Sequence, residues 1–141
     1  MVLLDANVLV YYLDETSDNH SQTIGLLQKL VDDDEQLVTS HHIIEEVLFV
    51  LSKLSPDADI VRAVERIAKL PGLILVEPSP SIDFALRYAD LGQKLNTGVN
   101  DALILQLMLD AGISKLFSYD KKLLKQAHAL HIEQIAWYLI N

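Results

Sequence analysis

Four acidic residues stand where a short apolar run ends or where a helical pattern begins. Asp5 and Asp120 follow apolar runs in the segments LLDANV and LFSYDKK, and Glu46 and Asp101 lie in TSHHIIEEVLFVL and GVNDALILQL. Carboxylates packed together repel one another strongly, and a divalent cation removes that conflict. Because all four ligands are oxygen, the ion they select is a hard one, Mg²⁺ or Mn²⁺, rather than zinc. These residue types therefore indicate metal-dependent chemistry if the fold brings them together.

The elements that must position these acids alternate along the chain. Short apolar runs between turn residues predict five strands, at 2–4, 36–39, 73–76, 115–118 and 135–140. Apolar residues that recur with a helical period predict helices at about 19–32, 40–54, from Ser55-Pro56 onward, 81–95, 99–111 and 121–130. This alternation predicts βαβ units and an α/β fold: a three-layer α/β/α sandwich with a central, mainly parallel sheet of four or five strands.

A parallel sheet would place several of the polar residues at one edge. Sites in open α/β sheets form beyond the carboxyl ends of the strands. Asp5 and Asp120 follow two of these strands, and the hydroxyls of Thr39 and Ser40 end a third. We therefore expect these side chains to lie on the same side of the molecule.

Helical geometry directs the other two acids toward the same region. At 100° per residue, Asp101 projects about 170° from the polar stripe of its helix. It is expected to begin a buried helix and to face inward, where a carboxylate needs a partner charge or a metal. Glu45 points away from the apolar face of its helix and is expected to be solvated. Glu46 borders that face and leans back toward the sheet edge.

Each acid also has an ordinary structural explanation. An aspartate after a strand often caps a helix or forms an Asx-turn, which would account for Asp5 and Asp120. Asp101 could favour the helix dipole in a first turn, and Glu46 could be a boundary residue without a task. The metal-site hypothesis depends on the set of four rather than on any single residue.

Composition limits the classes of protein that the chain can belong to. Its 141 residues, half of them hydrophobic, suit one domain spanning 1–141 with a sizeable core. No apolar run is long enough to span a bilayer, and the absence of cysteine fits a cytoplasmic protein. Twenty acidic and 11 basic residues give a net charge of −9, which argues against nucleic-acid binding through a broad basic surface. An enzyme that meets phosphate through bound cations remains compatible with that charge.

The four acidic motifs, in this order and on these elements, resemble those of PIN-domain proteins, and especially the VapC-type toxin ribonucleases. The matching segments are LLDANVLVYYL, TSHHIIEEVLFVL, GVNDALILQLMLDAG and LFSYDKKLL, and their order and spacing extend over nearly the whole chain. The resemblance implies a parallel sheet between helices with an acidic cluster at its carboxyl edge. It also implies hydrolysis of RNA with Mg²⁺ or Mn²⁺, leaving a 5′-phosphate and a 3′-hydroxyl.

The resemblance also assigns roles to individual residues. Asp5, Glu46, Asp101 and Asp120 match the family's acidic cluster, in which the fourth acid varies most. Asn7 matches the polar residue after the first acid, Ser40 or Thr39 the hydroxyl ending the second strand, and Ser118 the hydroxyl before the last acid. These side chains would orient the metal ligands.

Expected partners are RNA, an antitoxin protein if the chain is a toxin, and a second copy of the chain. Lys94, Lys121 and Lys122 flank the acids and are the candidate phosphate contacts, although ordinary surface lysines would look the same. The helical run 60–70 could carry a dimer surface or form part of the core. His41 and His42 point about 100° apart on a helix and make a poor joint metal pair.

Three other functions remain open. A non-toxin PIN nuclease in RNA processing would carry the same motifs. A haloacid-dehalogenase-type phosphatase also begins with an aspartate after its first strand, but it normally has a second aspartate where this chain has Asn7. A PIN fold that binds a protein without turnover is the third alternative, and the complete acidic set argues against it.

Overall fold

A five-stranded, wholly parallel sheet lies at the centre of the protein, in a computed structural model that describes residues 1–135. The strands are β1 (Val2–Leu4), β2 (Leu37–Thr39), β3 (Ile74–Leu75), β4 (Lys115–Phe117) and β5 (Glu133–Ile135). Their order across the sheet is β3-β2-β1-β4-β5, and each neighbouring pair is parallel. The first strand of the sequence is therefore the central strand of the sheet.

Helices connect these strands in two groups. The helices are α1 (Ala6–Leu13), α2 (His20–Asp32), α3 (His41–Leu54), α4 (Ile60–Ala68), α5 (Ile82–Leu95), α6 (Val99–Ala111) and α7 (Lys121–Ala129). α1 contacts α2, α3 and α4, whereas α5 packs mainly against α6. Right-handed crossovers place α1–α4 on one face of this sheet and α5–α7 on the other.

The burial of β1 confirms the predicted three-layer α/β/α fold. Val2, Leu3 and Leu4 have no exposed surface, although successive side chains of a strand point to opposite faces. Both faces of the sheet must therefore be covered. Within residues 1–135, no helix is both long and apolar enough to cross a membrane.

Side-chain caps start several of these helices directly after a strand. Asp5 caps α1 by accepting the N–H of Ala6, and Ser40 caps α3 by accepting the N–H of Ile43. Asp120 caps α7 in the same way. A cap that follows a strand makes the chain turn sharply, so these polar side chains stand at the carboxyl edge of the sheet.

The helix α1 is absent from the elements that the sequence predicted. Its segment, ANVLVYYL, is buried on most sides, so its apolar residues show no helical period. It is also short and rich in β-branched and aromatic residues, which have modest helix propensity. Its start is marked by a single signal, the capping aspartate.

The prediction that Ser55-Pro56 opens a helix is wrong. α4 begins at Ile60 because Asp59 caps it, accepting the N–H of Arg62 at 3.0 Å. The residues before it form a turn. This helix contributes to the core only in part, because Ile67 is buried while Val64 is exposed.

The last strand begins earlier than predicted. β5 covers Glu133–Ile135, whereas the sequence predicted a strand at 135–140. Positions 136–140 of that prediction lie outside the described residues.

The close approach of α5 and α6 at Gly92 yields a test of the packing. A Cβ atom at Gly92 would lie 3.2 Å from the Cβ of Ala102 and 3.5 Å from the carbonyl oxygen of Thr97. We expect Gly92→Val to lower the free energy of unfolding by about 1–3 kcal/mol, as overpacking does. Urea denaturation measures this change.

Gly25, in α2, is the matched control. A Cβ atom there meets no other atom within 4 Å, so Gly25→Ala should raise the free energy of unfolding by about 0.5–1 kcal/mol. Equal effects of the two substitutions would contradict this account of the α5–α6 contact.

Candidate metal centre

A cavity of about 260 Å³ lies at the carboxyl edge of the sheet, beyond β1 and β4. Asp5, Glu46, Asp101 and Asp120 all line it. The four acids come from four different segments, so the parallel order of the strands and the caps of the helices bring them together. Asn7 lies in the same wall.

Asp5 is the most buried of the four acids, with only 6% of its surface exposed. The N–H of Ala6 donates to its Oδ1 atom at 2.8 Å, and the Ser118 hydroxyl donates to its Oδ2 atom at 2.6 Å. The backbone N–H of Asp5 donates to the carbonyl oxygen of Phe117 at 3.0 Å. The carboxylate is therefore fixed between the end of β1, the start of α1 and the end of β4.

The hydroxyl of Ser118 is fully engaged in this arrangement. It accepts the side-chain amide of Asn7 at 3.4 Å and the backbone N–H of Asp120 at 3.0 Å. A serine hydroxyl has two acceptor positions and one hydrogen, so these two donors leave only its hydrogen for Asp5. Asn7 is held in turn, since its Oδ1 atom accepts the N–H of Tyr119 at 3.1 Å.

The other three acids share one feature: a single oxygen of each is held by hydrogen bonds. Oδ1 of Asp120 accepts two N–H groups of α7, Oδ2 of Asp101 accepts the Thr97 hydroxyl at 3.4 Å, and Oε2 of Glu46 accepts the amide of Asn100 at 3.4 Å. Within residues 1–135 the second oxygen of each accepts no hydrogen bond. Those oxygens are available to another electropositive partner.

The electrostatics of the cavity oppose the ionisation of Asp5. Burial raises the pKa of Asp5 from 3.8 to about 6, and the charges of Glu46 and Asp120 push it in the same direction. The hydrogen bonds from Ser118 and Ala6 lower the pKa but do not cancel the effect of burial.

Asp101 shows the same tendency. Burial raises its pKa above the ordinary value, the charge of Asp120 adds to this, and the hydrogen bond from Thr97 and the charge of Lys122 oppose it. The charge of Lys122 and the hydrogen bond from Thr97 therefore do not offset the effects of burial and of Asp120 on Asp101.

The chemistry of this donor set fits a hard divalent cation. The side chains of residues 1–135 do not bring three acidic or histidine groups to one point that could hold an ion. Mg²⁺, however, usually keeps several water ligands and binds through one or two protein carboxylates. One or two of these acids would meet that requirement without an all-protein cage, and Glu46, Asp101 and Asp120 each keep an oxygen that accepts no hydrogen bond among residues 1–135.

The model of the PIN domain family matches residues 2–129 of the chain. The chain belongs to the PIN domain family. This membership removes the phosphatase alternative that Asp5 alone had left open. A comparison with curated protein sequences finds no match.

Solved structures show that this PIN domain has the fold of the VapC-type toxins. VapC20 of Mycobacterium tuberculosis, a sarcin-ricin loop cleaving toxin, is 15% identical, with 89% of this chain and 94% of that chain covered and a TM-score of 0.63. The VapBC2 complex of Rickettsia felis, bound to a DNA fragment from its promoter, contains a chain that is 18% identical. The match covers 96% of this chain and 98% of that chain, with a TM-score of 0.65. VapBC-1 of nontypeable Haemophilus influenzae is 17% identical, with 98% and 99% covered and a TM-score of 0.64.

The exposure of the acids in this PIN domain differs partly from expectation. Glu45 is exposed and Glu46 borders the buried face of α3, as predicted. Asp101 is only half-buried, whereas the sequence predicted that it faces the interior. Asp101 lies in the first turn of α6, which lines the cavity, whereas the later turns of this helix are buried in the core.

The predicted hydroxyl at the end of β2 lies apart from the acids. The Ser40 hydroxyl caps α3 at Ile43, and the Thr39 hydroxyl donates to the carbonyl oxygen of Leu4 at 3.3 Å. Neither residue is among those that line the cavity. Ser40 therefore contributes by starting the helix that carries Glu46.

The three predicted lysines are exposed and differ in the acids with which they interact. Lys94 pairs with Asp90 at 2.6 Å on α5. Lys122 acts on the pKa of Asp101, which places its charge near the cavity. Lys121 is exposed beside it at the start of α7.

Sequence reasoning missed two residues of the cavity region, Asn100 and Thr97. Both contact an acid, and both lie within four residues of Asp101. A polar residue one turn before a candidate site acid was the available signal for Thr97. Asn100 contacts an acid of another helix, and no local pattern predicts that.

The raised pKa of Asp5 makes stability depend on pH. Because the pKa of Asp5 is higher in the folded protein, its protonated form favours the folded state. This contribution to stability is fully present below about pH 4 and is lost as the pH rises through about 6. In EDTA at pH 7, Asp5→Asn should therefore unfold with a free energy roughly 1–3 kcal/mol larger than the wild type, and at pH 4 the difference should shrink. Urea denaturation at the two pH values measures this.

Asp32→Asn serves as the matched control, because Asp32 is exposed at the end of α2. It should leave the pH dependence of stability unchanged. A gap between wild type and Asp5→Asn that is the same at both pH values would contradict the role of burial.

The Ser118 hydroxyl lowers the pKa of Asp5, so its removal should raise that pKa. In Ser118→Ala the carboxylate loses one hydrogen bond while it stays buried, and its pKa should rise above about 6. Carbon-13 NMR of the Asp5 carboxyl group measures the titration. Ser52→Ala, whose hydroxyl bonds its own helix, should leave the Asp5 titration in place.

Proposed function

We propose that this PIN domain is a metal-dependent endoribonuclease that hydrolyses phosphodiester bonds of RNA with Mg²⁺ or Mn²⁺. The observation that carries the proposal is the meeting of four carboxylates around one cavity in a member of this family. The raised pKa values of Asp5 and Asp101 support it, since burial and neighbouring acids disfavour their ionised forms and a bound cation would stabilise those forms.

Asp5, Glu46 and Asp101 would hold one or two ions, with water molecules completing the coordination, and Asp120 would bind the second ion or bind through water. Glu46, Asp101 and Asp120 each have an oxygen without a hydrogen bond among the described residues. Asp5 would coordinate through the remaining lone pairs of its two oxygens. Asn7 and Ser118 would orient Asp5 from behind.

A divalent ion bound here would activate a water molecule near neutral pH and neutralise charge on the phosphate. The protein's own groups would fix the geometry. Ser118 would keep Asp5 in one orientation, because its single hydrogen points at that carboxylate. The orientation of the Asp120 carboxylate would be restrained because its Oδ1 atom accepts two N–H groups of α7. In-line attack of a water oxygen on phosphorus would break the P–O3′ bond, and with transfer of a proton of that water to the 3′-oxygen it would leave a 5′-phosphate and a 3′-hydroxyl.

An acidic chain can still bind RNA at this cavity. Two divalent ions add four positive charges where the four acids lie, which changes the charge of the cleft more than that of the surface. Lys122, whose charge lowers the pKa of Asp101, and the neighbouring Lys121 would contact flanking phosphates, whereas Lys94 is paired with Asp90. The affinity would therefore depend on the metal.

The function as a toxin of a toxin–antitoxin pair is part of this proposal. Its support is the shared fold with VapC20 and with two VapBC structures. A small antitoxin protein is then the expected partner. A homodimer is supported by exposed apolar side chains on α3 and α4, namely Phe49, Leu54 and Val61, which are 60%, 63% and 69% exposed.

Cleavage of RNA with and without metal tests the proposal. The purified protein should cut structured or single-stranded RNA in Mn²⁺ and should be inactive in EDTA. Asp5→Asn should reduce cleavage in Mn²⁺ to the level seen in EDTA, because the carboxylate at the centre of the cavity loses its charge. Circular dichroism should show that this variant is folded.

Asp32→Asn is the control for surface charge and should cut RNA as the wild type does. Full activity of Asp5→Asn would refute the assigned site. A folded wild-type protein that binds Mn²⁺ but cuts no RNA would instead favour a PIN fold that binds a protein without turnover.

A further inference from the structure

The side chain of Asn100 joins two helices across the mouth of the cavity. It lies in the first turn of α6, next to Asp101, and its Nδ2 atom donates to Oε2 of Glu46 at 3.4 Å. Its Oδ1 atom is hydrogen-bonded to Nε2 of His42. His42 and Glu46 are four residues apart on α3 and therefore lie on one face of that helix.

The orientation of this amide is fixed by its two neighbours. A carboxylate only accepts hydrogen bonds, so the NH₂ group of Asn100 must face Glu46 and its oxygen must face His42. The Nε2 atom of His42 must then carry a hydrogen. Because amides bind metal ions through oxygen, and this oxygen is already engaged, Asn100 itself is poorly placed to be a ligand.

The consequence for Glu46 is that one oxygen is held and the other is left available. A glutamate has three rotatable bonds, and Glu46 is only half-buried, so packing alone does not fix its carboxylate. The bond from Asn100 provides that restraint. Asn100 also precedes Asp101 directly, so the same contact sets the position of one acid relative to the other.

We propose that Asn100 is a positioning residue that holds Glu46 for metal binding, with His42 fixing the amide of Asn100. The inference rests on the proposed function, because it assumes that Glu46 is a metal ligand. It goes beyond that function in assigning a task to two residues outside the acidic set. The same arrangement holds the other acids: Ser118 restrains Asp5, and Thr97 restrains Asp101.

Mn²⁺ binding measured by electron paramagnetic resonance tests this inference without reference to RNA cleavage. We expect Asn100→Ala to weaken Mn²⁺ affinity about tenfold, as loss of a partner behind a ligand does. Asn19→Ala, at the start of α2 where the asparagine side chain makes no capping hydrogen bond, is the matched control and should bind as the wild type does. Thermal unfolding of both variants checks that they are folded.

A double-mutant cycle shows whether Asn100 acts through Glu46. In a Glu46→Ala background, adding Asn100→Ala should change the affinity less than twofold, because the carboxylate to be positioned is gone. An equal loss in both backgrounds would overturn the inference. So would a folded Asn100→Ala protein that binds Mn²⁺ as tightly as the wild type.

Two substitutions of His42 test whether this histidine fixes the amide of Asn100. His42→Ala should weaken Mn²⁺ binding in the same direction, and His42→Gln, which keeps a donor, should restore most of it. Unchanged binding in His42→Ala would overturn the role of His42. If the wild-type protein itself fails to bind Mn²⁺, the proposed function fails, which is a different result from failure of the Asn100 variants alone.

Discussion

The structure depends on the carboxylate of Asp5, which is almost completely buried at the end of the central strand. Burial opposes its charge, and two neighbouring acids oppose it further. The hydrogen bonds from Ala6 and Ser118 offset only part of that cost. A protein keeps such an arrangement when another charge completes it, since buried charges are stable only when they are paired or bound to a metal.

The same groups serve the fold and the cavity at once. Asp5 and Asp120 cap α1 and α7 with one part of each carboxylate while they face the cavity. The ordinary structural explanation of these aspartates and the metal hypothesis are therefore compatible. Capping also restrains these two carboxylates, because each accepts N–H groups from the first turn of its helix.

Sequence patterns were sufficient for the fold class and for the meeting of the acids, because both follow from local periodicity and from the parallel order of strands. They failed where no period exists, as in α1, and where a turn residue resembled a helix start, as at Pro56. They also failed for contacts made between distant segments. The bond from Asn100 to Glu46 joins α6 to α3, and the half-buried state of Asp101 depends on how the cavity wall packs. Such contacts are properties of the assembled molecule.

The pairing of Asp5 with Ser118 joins residues 113 positions apart in the chain. During translation, Asp5 leaves the ribosome long before β4 exists, and β1 lacks one of its two neighbouring strands until then. Contacts of such long sequence separation form late, and the unpaired edge of β1 is exposed in the interval. A nascent chain that stops short of β4 thus has neither a complete sheet nor an assembled acidic cavity, so the four acids could act together only after β4 has been synthesised.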